Sequence, residues 1–323
     1  MSRPIAAAIA DHFARRARWH PLEIGFWLAA AATLFLLPGW HLILNEIAIL
    51  ALFALSLDLI LGYAGIVSLG HAAYFGFGAY AAGLFAKHWM AEPVTGLIAA
   101  GLAAALAGFV TSFLVLRGSD LTRLMVTLGV NSLLFELANK LDWITGGADG
   151  LQGIVMGPVL GLFAFDITGH VAYVYSLTVL AVLFLLARRI ARSPFGLSLL
   201  AVKGNPLRAA AIGIPVNARL VAIYTIAAGY AGFAGALLAE TNQFVSLDVL
   251  AFHRSADVLL VLILGGAGYL YGGVLGAIVF KFMHDWLASL TPHYWMFWVG
   301  LVLVLIVLVG RERLAAWTAA LTR

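Results

Sequence analysis

Cysteine is absent from this chain of 323 residues, which excludes a disulfide framework, a thiolate metal site and a cysteine nucleophile. Charged residues are scarce as well, at 11% of the sequence against about 25% in typical soluble domains. A chain with so few charges has no way to cover a folded surface in water. Its net charge of +4 therefore does not indicate nucleic-acid binding, and we expect no nucleic-acid partner.

Signatures of catalysis are also missing. There is no G-x-x-x-x-G-K-[ST] motif, so the chain has no P-loop with which to hydrolyse ATP. Neither H-E-x-x-H nor G-x-S-x-G occurs, and no carboxylates cluster at catalytic spacing. The stretch TGGADG at 145–150 lacks the lysine and the following helix of a phosphate loop, and it predicts an outer turn. We predict no enzyme activity, no catalytic residue, no metal site and no cofactor.

Hydrophobic residues make up 63% of the chain, and its mean hydropathy is +1.01. A membrane-spanning helix needs about 20 apolar residues, or fewer where the helix is broken. The pattern predicts an all-α polytopic membrane protein in which residues 1–323 form a single transmembrane domain of about ten helices. The predicted spans are 26–40, 42–61, 67–86, 94–116, 121–137, 171–187, 221–239, 256–268, 271–287 and 295–309.

The basic residues predict the orientation of these spans, because cytoplasmic loops are enriched in Lys and Arg. With both termini in the cytoplasm, 15 of the 19 Lys and Arg residues lie inside. Lys87, Lys140 and Arg254 lie outside, and Lys281 lies within a span. The longest loops are then 138–170 outside and 188–220 inside. The arginines before residue 20 precede an apolar run without a cleavage site, so we expect an uncleaved first span.

The inner loop 188–219 contains start and stop signals for two short helices. Ser193-Pro194 and Asn205-Pro206 are helix starts, because Ser and Asn cap free N–H groups and Pro suits the first helical position. We expect Gly204 and Gly213 to close the two helices in the left-handed conformation. Leu207, Ala210 and Ala211 then share one face of the second helix. Either this loop docks a partner, or it is only a solvated connection.

Polar and small residues inside predicted spans are candidates for a translocation path. The run 62–80 is rich in glycine, which allows helices to approach closely and loosens the backbone where a path opens. Packing alone explains most of these glycines, and His71 is more simply read as a hydrogen-bonding partner between helices. The candidate path residues are Gly65, Ser68, Gly70, His71 and Asn131.

Charged residues within spans are costly in hydrocarbon and must face protein or water. Asp58 either lines a path or lies near the cytoplasmic interface, and Glu136 allows the same two interpretations. Lys281 and Asp285 stand four residues apart, so we expect them to pair on one helical face.

Several stretches together resemble the LivM-type permease subunits of branched-chain amino acid ABC importers. They occur in family order between residues 45 and 310, and jointly they are specific for the family but not for the transported molecule. They are GYAGIVSLGHAAYFGFGAYAAGL (62–84), LTRLMVTLGVNSLLFE (121–136), TGGADGLQGI (145–154), SPFGLSLLAVKGNPLRAAAIGI (193–214), IAAGYAGFAGALLA (226–239) and ADVLLVLILGGAGYLYGGVLGA (256–277).

The resemblance implies the importer permease fold of the vitamin B12 and ribose systems in the bacterial inner membrane. It implies a homologous second permease, two cytoplasmic ABC ATPases and an extracytoplasmic binding protein as partners. The loop 188–219 becomes the ATPase-coupling loop, although the family usually has an acidic residue where Gly204 stands. The coupling residues are Lys203, Gly204, Asn205, Pro206, Leu207, Arg208, Ala209, Ala210, Ala211 and Gly213.

Other functions remain open at this point. Related permeases import urea, short amides or aromatic acids, so the substrate is not fixed by the resemblance. A secondary transporter or channel acting alone would use Asp58, Lys281 and Asp285 as functional charges. A membrane enzyme has no catalytic set to support it.

Overall fold

The computed structural model describes residues 21–290 and, beyond them, residues 294, 297, 298, 300, 301 and 304. Within this part of the chain the structure is helical, with two isolated β-bridges and no strand. Short 3-10 turns lie at Pro38–Trp40, Gly147–Asp149 and Leu247–Leu250. The helices are α1 (Pro21–Leu36), α2 (His41–Ala64), α3 (Ala72–His88), α4 (Pro93–Val115), α5 (Asp120–Lys140), α6 (Asp142–Thr145), α7 (His170–Ala191), α8 (Pro194–Gly204), α9 (Pro206–Ala211), α10 (Val216–Asn242), α11 (Phe252–Gly265) and α12 (Leu270–Leu290).

Six described helices are long and apolar enough to cross a membrane, namely α2 with the turn before it, α4, α5, α7, α10 and α12. The shorter helices α1, α3 and α11 have 16, 17 and 14 residues and overlap three further predicted spans. The predicted tenth span, 295–309, falls mostly outside the described residues. Predicted boundaries differ from the helices by up to five residues: α3 begins at Ala72 rather than at 67, α1 spans 21–36 rather than 26–40, and α10 spans 216–242 rather than 221–239.

Helices α2 and α10 form the centre of the bundle, and α10 packs against α2, α3 and α4. Small residues allow the close approach. A Cβ added to Gly235 would lie 1.8 Å from the carbonyl oxygen of Phe75 in α3. A Cβ added to Gly232 would lie 2.2 Å from the Cβ of Ala104 in α4. Because apolar side chains gain little by leaving lipid, contacts of this kind between small residues are a main source of helix association in membranes.

One end of the bundle, here called the Lys203 end, is held by polar contacts between helix termini. Glu23 at the start of α1 forms ion pairs with Arg188 and Arg192 at the end of α7, each with an N···O distance of 2.8 Å. Lys203 of α8 reaches the end of α2, where its Nζ donates to the carbonyl oxygen of Gly62 over 2.7 Å. Helices α8 and α9 therefore lie at the end where α1 starts and where α2 and α7 finish.

The opposite end, here called the Glu46 end, contains the starts of α2 and α7. The rings of His41 and His170, at these two starts, have centroids 5.0 Å apart. Glu46 in α2 pairs with Lys281 of α12 over 2.5 Å. The long loop between α5 and α7 also lies at this end.

Candidate functional site

The α8–α9 segment folds as its local sequence predicts. The Oγ of Ser193 accepts a hydrogen bond from the Gly196 backbone N–H over 3.4 Å at the start of α8. The Oδ1 of Asn205 accepts from the Arg208 backbone N–H over 3.0 Å at the start of α9. Gly213 closes the segment with a φ of +87°, in the left-handed region that favours glycine. The predicted helix, turn and helix are confirmed.

The predicted role of Gly204 is wrong, because Gly204 remains helical as the last residue of α8. The chain turns one residue later, where Asn205 is extended with φ −162° and ψ 105°. Asn205 thus ends α8 through its backbone and starts α9 through its side chain. An extended residue before Pro206 is what the proline ring requires of its predecessor.

One face of α9 is apolar and exposed. Leu207 is 84% exposed and Ile212 is 75% exposed, and Ala210 and Ala211 are exposed between them. We call these four residues the α9 face. Leu207, Ala210 and Ala211 were predicted to lie together, and Ile212, just past the end of α9, extends them. Ala209 differs from its neighbours, because it is 2% exposed and packs inward. The small size of Ala209 therefore serves the packing of α9 on its own chain.

Lys203 anchors the segment to the bundle. Its Nζ donates to the carbonyl oxygen of Gly62, and its Cγ lies 3.0 Å from where a Cβ of Gly65 would stand. Beside this contact, Asp58 accepts a hydrogen bond from the Gly268 backbone N–H over 2.7 Å, so it fixes the α11–α12 loop to α2. Lys203, which the resemblance places in the coupling loop, therefore contacts the end of α2.

Residues 65–71 form a buried, non-helical entry to α3. Gly65 takes a φ of +73° at the end of α2 and starts the turn. Gly70 passes so close to α5 that a Cβ on it would stand 1.9 Å from the carbonyl oxygen of Thr127. Ser68 and His71 are fully buried. Irregular backbone at membrane depth is tolerated only inside protein or along a water-filled cavity.

Two polar groups at this entry form hydrogen bonds to neighbouring helices. His71 Nε2 lies 2.8 Å from the Oγ of Ser56 in α2, which is the interhelical hydrogen bond that one interpretation of His71 predicted. The first N–H groups of a helix have no partner within the helix, and that of Ala72 in α3 donates to the Oγ of Ser255 in α11 over 2.9 Å. The start of α3 is therefore tied to two other helices.

A second irregular segment, residues 243–251, leads into α11 from the opposite direction. Its Leu250 is buried, and the carbonyl oxygen of Leu250 accepts from the Nδ2 of Asn131 over 2.9 Å. Asn131 lies one helical turn beyond Thr127, which touches Gly70. Gly70, His71 and Asn131 therefore come together around α5, whereas Gly65 lies apart, beside Lys203.

Several charges within the spans are paired or buried, whereas Glu136 of α5 is exposed. Lys281 and Asp285 pair over 3.1 Å as predicted, and Glu46 is a second, unforeseen partner of Lys281. Glu240 is fully buried in α10, where its Oε2 accepts from the Tyr175 hydroxyl over 2.9 Å. The sequence reasoning missed Glu240 because the predicted span stopped at 239, just before the charge, whereas α10 continues to Asn242.

The loops at the Glu46 end are also locally ordered. Residues 145–150 form the predicted turn, with Gly146, Gly147 and Gly150 at positive φ. Glu92 starts α4 and accepts from the Thr95 backbone N–H over 2.7 Å and from that of Leu160 over 3.4 Å. Partial burial acts to raise the pKa of Glu92, but these hydrogen bonds outweigh it and hold the pKa below its usual value. In the described part of the chain no three His, Asp or Glu side chains group to hold a metal.

Comparison with known proteins gives one consistent family. The model of the family described as "branched-chain amino acid transport system / permease component" matches residues 41–307. The high-affinity branched-chain amino acid transport system permease proteins LivM of Escherichia coli (strain K12) and Salmonella typhimurium are 28% and 29% identical to this chain. Each match covers 79% of this chain and 65% of the relative.

A more distant relative is the galactose/methyl galactoside import permease protein MglC of E. coli, 26% identical over 58% of this chain and 54% of its own length. No solved structure matches the chain. The family model covers most of the sequence, and six described helices have the length and composition of membrane spans. The chain is a multi-pass membrane protein that belongs to the family of permease components of branched-chain amino acid transport systems.

Proposed function

We propose that the chain is one permease subunit of an ATP-driven importer of branched-chain amino acids in the bacterial inner membrane. The observation that carries this proposal is the α9 face, a cluster of exposed apolar side chains on a short helix at the Lys203 end. Exposed apolar clusters of this kind mark interaction sites. In this proposal a partner hydrolyses the ATP that drives uphill transport, because the chain itself lacks a P-loop.

In this proposal the Lys203 end faces the cytoplasm and the bundle has about ten spans, in the manner of the vitamin B12 and ribose importer permeases. Arg188, Arg192, Lys203 and Arg208 lie at or beside the Lys203 end, whereas Lys87 and Lys140 end α3 and α5 at the other. This distribution agrees with the excess of basic residues in cytoplasmic loops. Both termini would then be cytoplasmic.

The α9 face would sit in a groove of a cytoplasmic ATPase. Two ATPases would serve this chain and a homologous second permease, and an extracytoplasmic binding protein would dock at the Glu46 end. Closure of the ATPases would move α8 and α9 as a unit. The hydrogen bond from Lys203 to Gly62 would pass that motion to the end of α2.

The broken entries to α3 and α11 are the elements most suited to open a path. Transporter folds place substrate sites at such interruptions, where helices of opposite direction meet. Ser68, Gly70, His71 and Asn131 lie at this meeting point, and Gly65 lies at the hinge next to Lys203. We propose that the two breaks shift relative to α5 when the coupling segment moves.

The experiment is to purify the tagged chain from its native membrane, identify the co-purifying proteins, and reconstitute the assembly in vesicles with ATP inside. We expect an ABC ATPase, a second permease and ATP-dependent uptake of leucine. Urea, short amides and aromatic acids are the alternative substrates to test in parallel. Uptake by the chain alone, driven by an ion gradient, would contradict the proposal and favour a secondary transporter.

A further inference from the structure

A cavity of about 630 Å³ opens among α2, α10, α11 and α12 at the Glu46 end. Its volume lies within the range of about 300–1,000 Å³ that is common for small-molecule sites. Glu46 and Gly62 are separated by sixteen positions of α2, which correspond to about 24 Å along the helix. The cavity is therefore remote from the α9 face, and it is lined by none of the candidate path residues named above.

The rim of the cavity carries charges of both signs. Lys281 on α12 lies between Glu46 and Asp285, with N···O distances of 2.5 and 3.1 Å. Arg254 on α11 is held by Asp248, with two hydrogen bonds of 2.6 and 3.0 Å. These hydrogen bonds use only part of the guanidinium, which leaves further N–H donors on Arg254.

Asp257 is the carboxylate that these pairs do not satisfy. It lies on the same face of α11 as His253 and Arg254, four and three positions earlier, and it lines the cavity. Within the described residues its carboxylate has neither a hydrogen bond nor an ion pair, although Arg254 and His284 act on it electrostatically. A half-buried carboxylate in this setting is stabilised by a cation that enters the cavity.

The floor of the cavity is apolar and aromatic. Phe53 and Phe75 have ring centroids 4.5 Å apart, and Ile49, Leu238 and Leu260 complete the wall. Glu46 and Phe53 are seven positions apart on α2, so the charged rim stands about 10 Å above the aromatic floor. Phe53 also stacks on His71, so the floor adjoins the buried entry to α3.

The arrangement of charged groups and apolar side chains at the cavity differs from that around a purely structural ion pair. At the Lys203 end, Glu23 is enclosed between Arg188 and Arg192 and forms an ion pair with each. At the cavity, His253, Arg254 and His284 act on Asp257 electrostatically, but its carboxylate forms no ion pair within the described residues, and it stands above a wall of Phe and Leu. A ligand with one positive group, one negative group and an aliphatic side chain matches all three features.

We propose that this cavity binds a zwitterionic amino acid with an aliphatic side chain. The ammonium group would bind Asp257, the carboxylate would bind Arg254, and the side chain would lie on Phe53 and Phe75. The inference rests on the proposed transport function and names the residues that recognise the substrate within this chain. It makes Asp257 a specificity-determining residue.

Single cysteines in this cysteine-free chain test the proposal without a transport assay. Leu260→Cys places a thiol on the cavity wall, and Asn242→Cys places one at its exposed rim, where folding is not at risk. The full assembly in membrane vesicles is treated with a maleimide while leucine is added at increasing concentration. At about ten times Kd, leucine should slow labelling roughly tenfold.

Analogues that each lack one group of leucine test which groups the cavity recognises. 4-Methylpentanoate lacks the ammonium group, 3-methylbutylamine lacks the carboxylate and glycine lacks the side chain, so we expect much weaker protection from each. Asp257→Asn should abolish protection by leucine, and Asp149→Asn in the outer turn should leave it intact. Labelling that leucine does not slow at either cysteine, or that 4-methylpentanoate slows equally, would overturn the inference.

Different results would contradict the proposed cavity site and the proposed transport function. Protection by leucine in an assembly that does not import leucine would contradict the proposed function and retain the cavity site. Import of leucine with unchanged rates in Asp257→Asn, and no protection, would retain the function and remove the site.

Discussion

Replacing Leu207 by alanine tests the role of the α9 face with the least disturbance to the fold. The side chain is 84% exposed in the isolated chain, so its removal leaves the packing of the bundle unchanged. The substitution deletes three carbon atoms, and burial is worth about 0.8 kcal/mol per methylene, so full burial in a partner groove implies a loss of about 2 kcal/mol. Such a loss weakens docking of the ATPase by a factor of about 30.

The assay is co-purification of the ATPase with tagged chain at decreasing ATPase concentration, together with the thermal midpoint of the permease. We expect Leu207→Ala to retain its thermal midpoint and its level in the membrane while losing the ATPase. Leu160→Ala is the matched control, because Leu160 is 67% exposed at the other end of the bundle. If Leu207→Ala retained the ATPase as well as the wild type does, Leu207 would not be buried in an ATPase groove.

Three further predictions concern packing, anchoring and orientation. Gly235→Val forces a side chain against the Phe75 carbonyl, so it should destabilise the chain by about 1–3 kcal/mol or more and lower its thermal midpoint; Gly129→Val, with open space around it, should not. Lys203→Met removes the hydrogen bond to Gly62 and should reduce uptake while the ATPase stays bound. The control Lys87→Met loses a similar hydrogen bond to the Gln152 carbonyl and should keep full uptake. Ser198→Cys should be labelled only from the cytoplasmic side and Asp149→Cys only from outside; labelling of Ser198→Cys in intact cells would reverse the orientation.

Local chemistry made the α8–α9 segment predictable from sequence. The caps at Ser193 and Asn205 and the turn at Gly213 depend on residues within three positions of each other, so the sequence contains all the partners. The pairing of Lys281 with Asp285 was predictable for the same reason. Long apolar runs likewise indicated where helices lie.

Partners distant in sequence were not predictable. The bonds from Lys203 to Gly62 and from the Gly268 backbone to Asp58 join positions 141 and 210 residues apart, and no local pattern encodes them. Hydropathy also misplaced the start of α3, since a buried irregular segment at 65–71 is as apolar as a helix. The predicted span ended at 239 and so excluded Glu240. The hydrogen bond from Tyr175 stabilises the Glu240 carboxyl group inside α10, and this contact depends on tertiary packing.

Cross-linking from Ala210 can show whether α9 contacts an ATPase. Ala210→Cys introduces a single thiol on the exposed α9 face, whereas Ala209→Cys introduces one that is buried, since Ala209 is 2% exposed. A short reagent that joins a thiol to an amine is applied to the assembled complex, and the adduct is identified by mass. We expect an adduct with the ATPase from Ala210→Cys and none from Ala209→Cys. If Ala210→Cys gave no ATPase adduct in a complex that still transports, α9 would not be the contact with the ATPase.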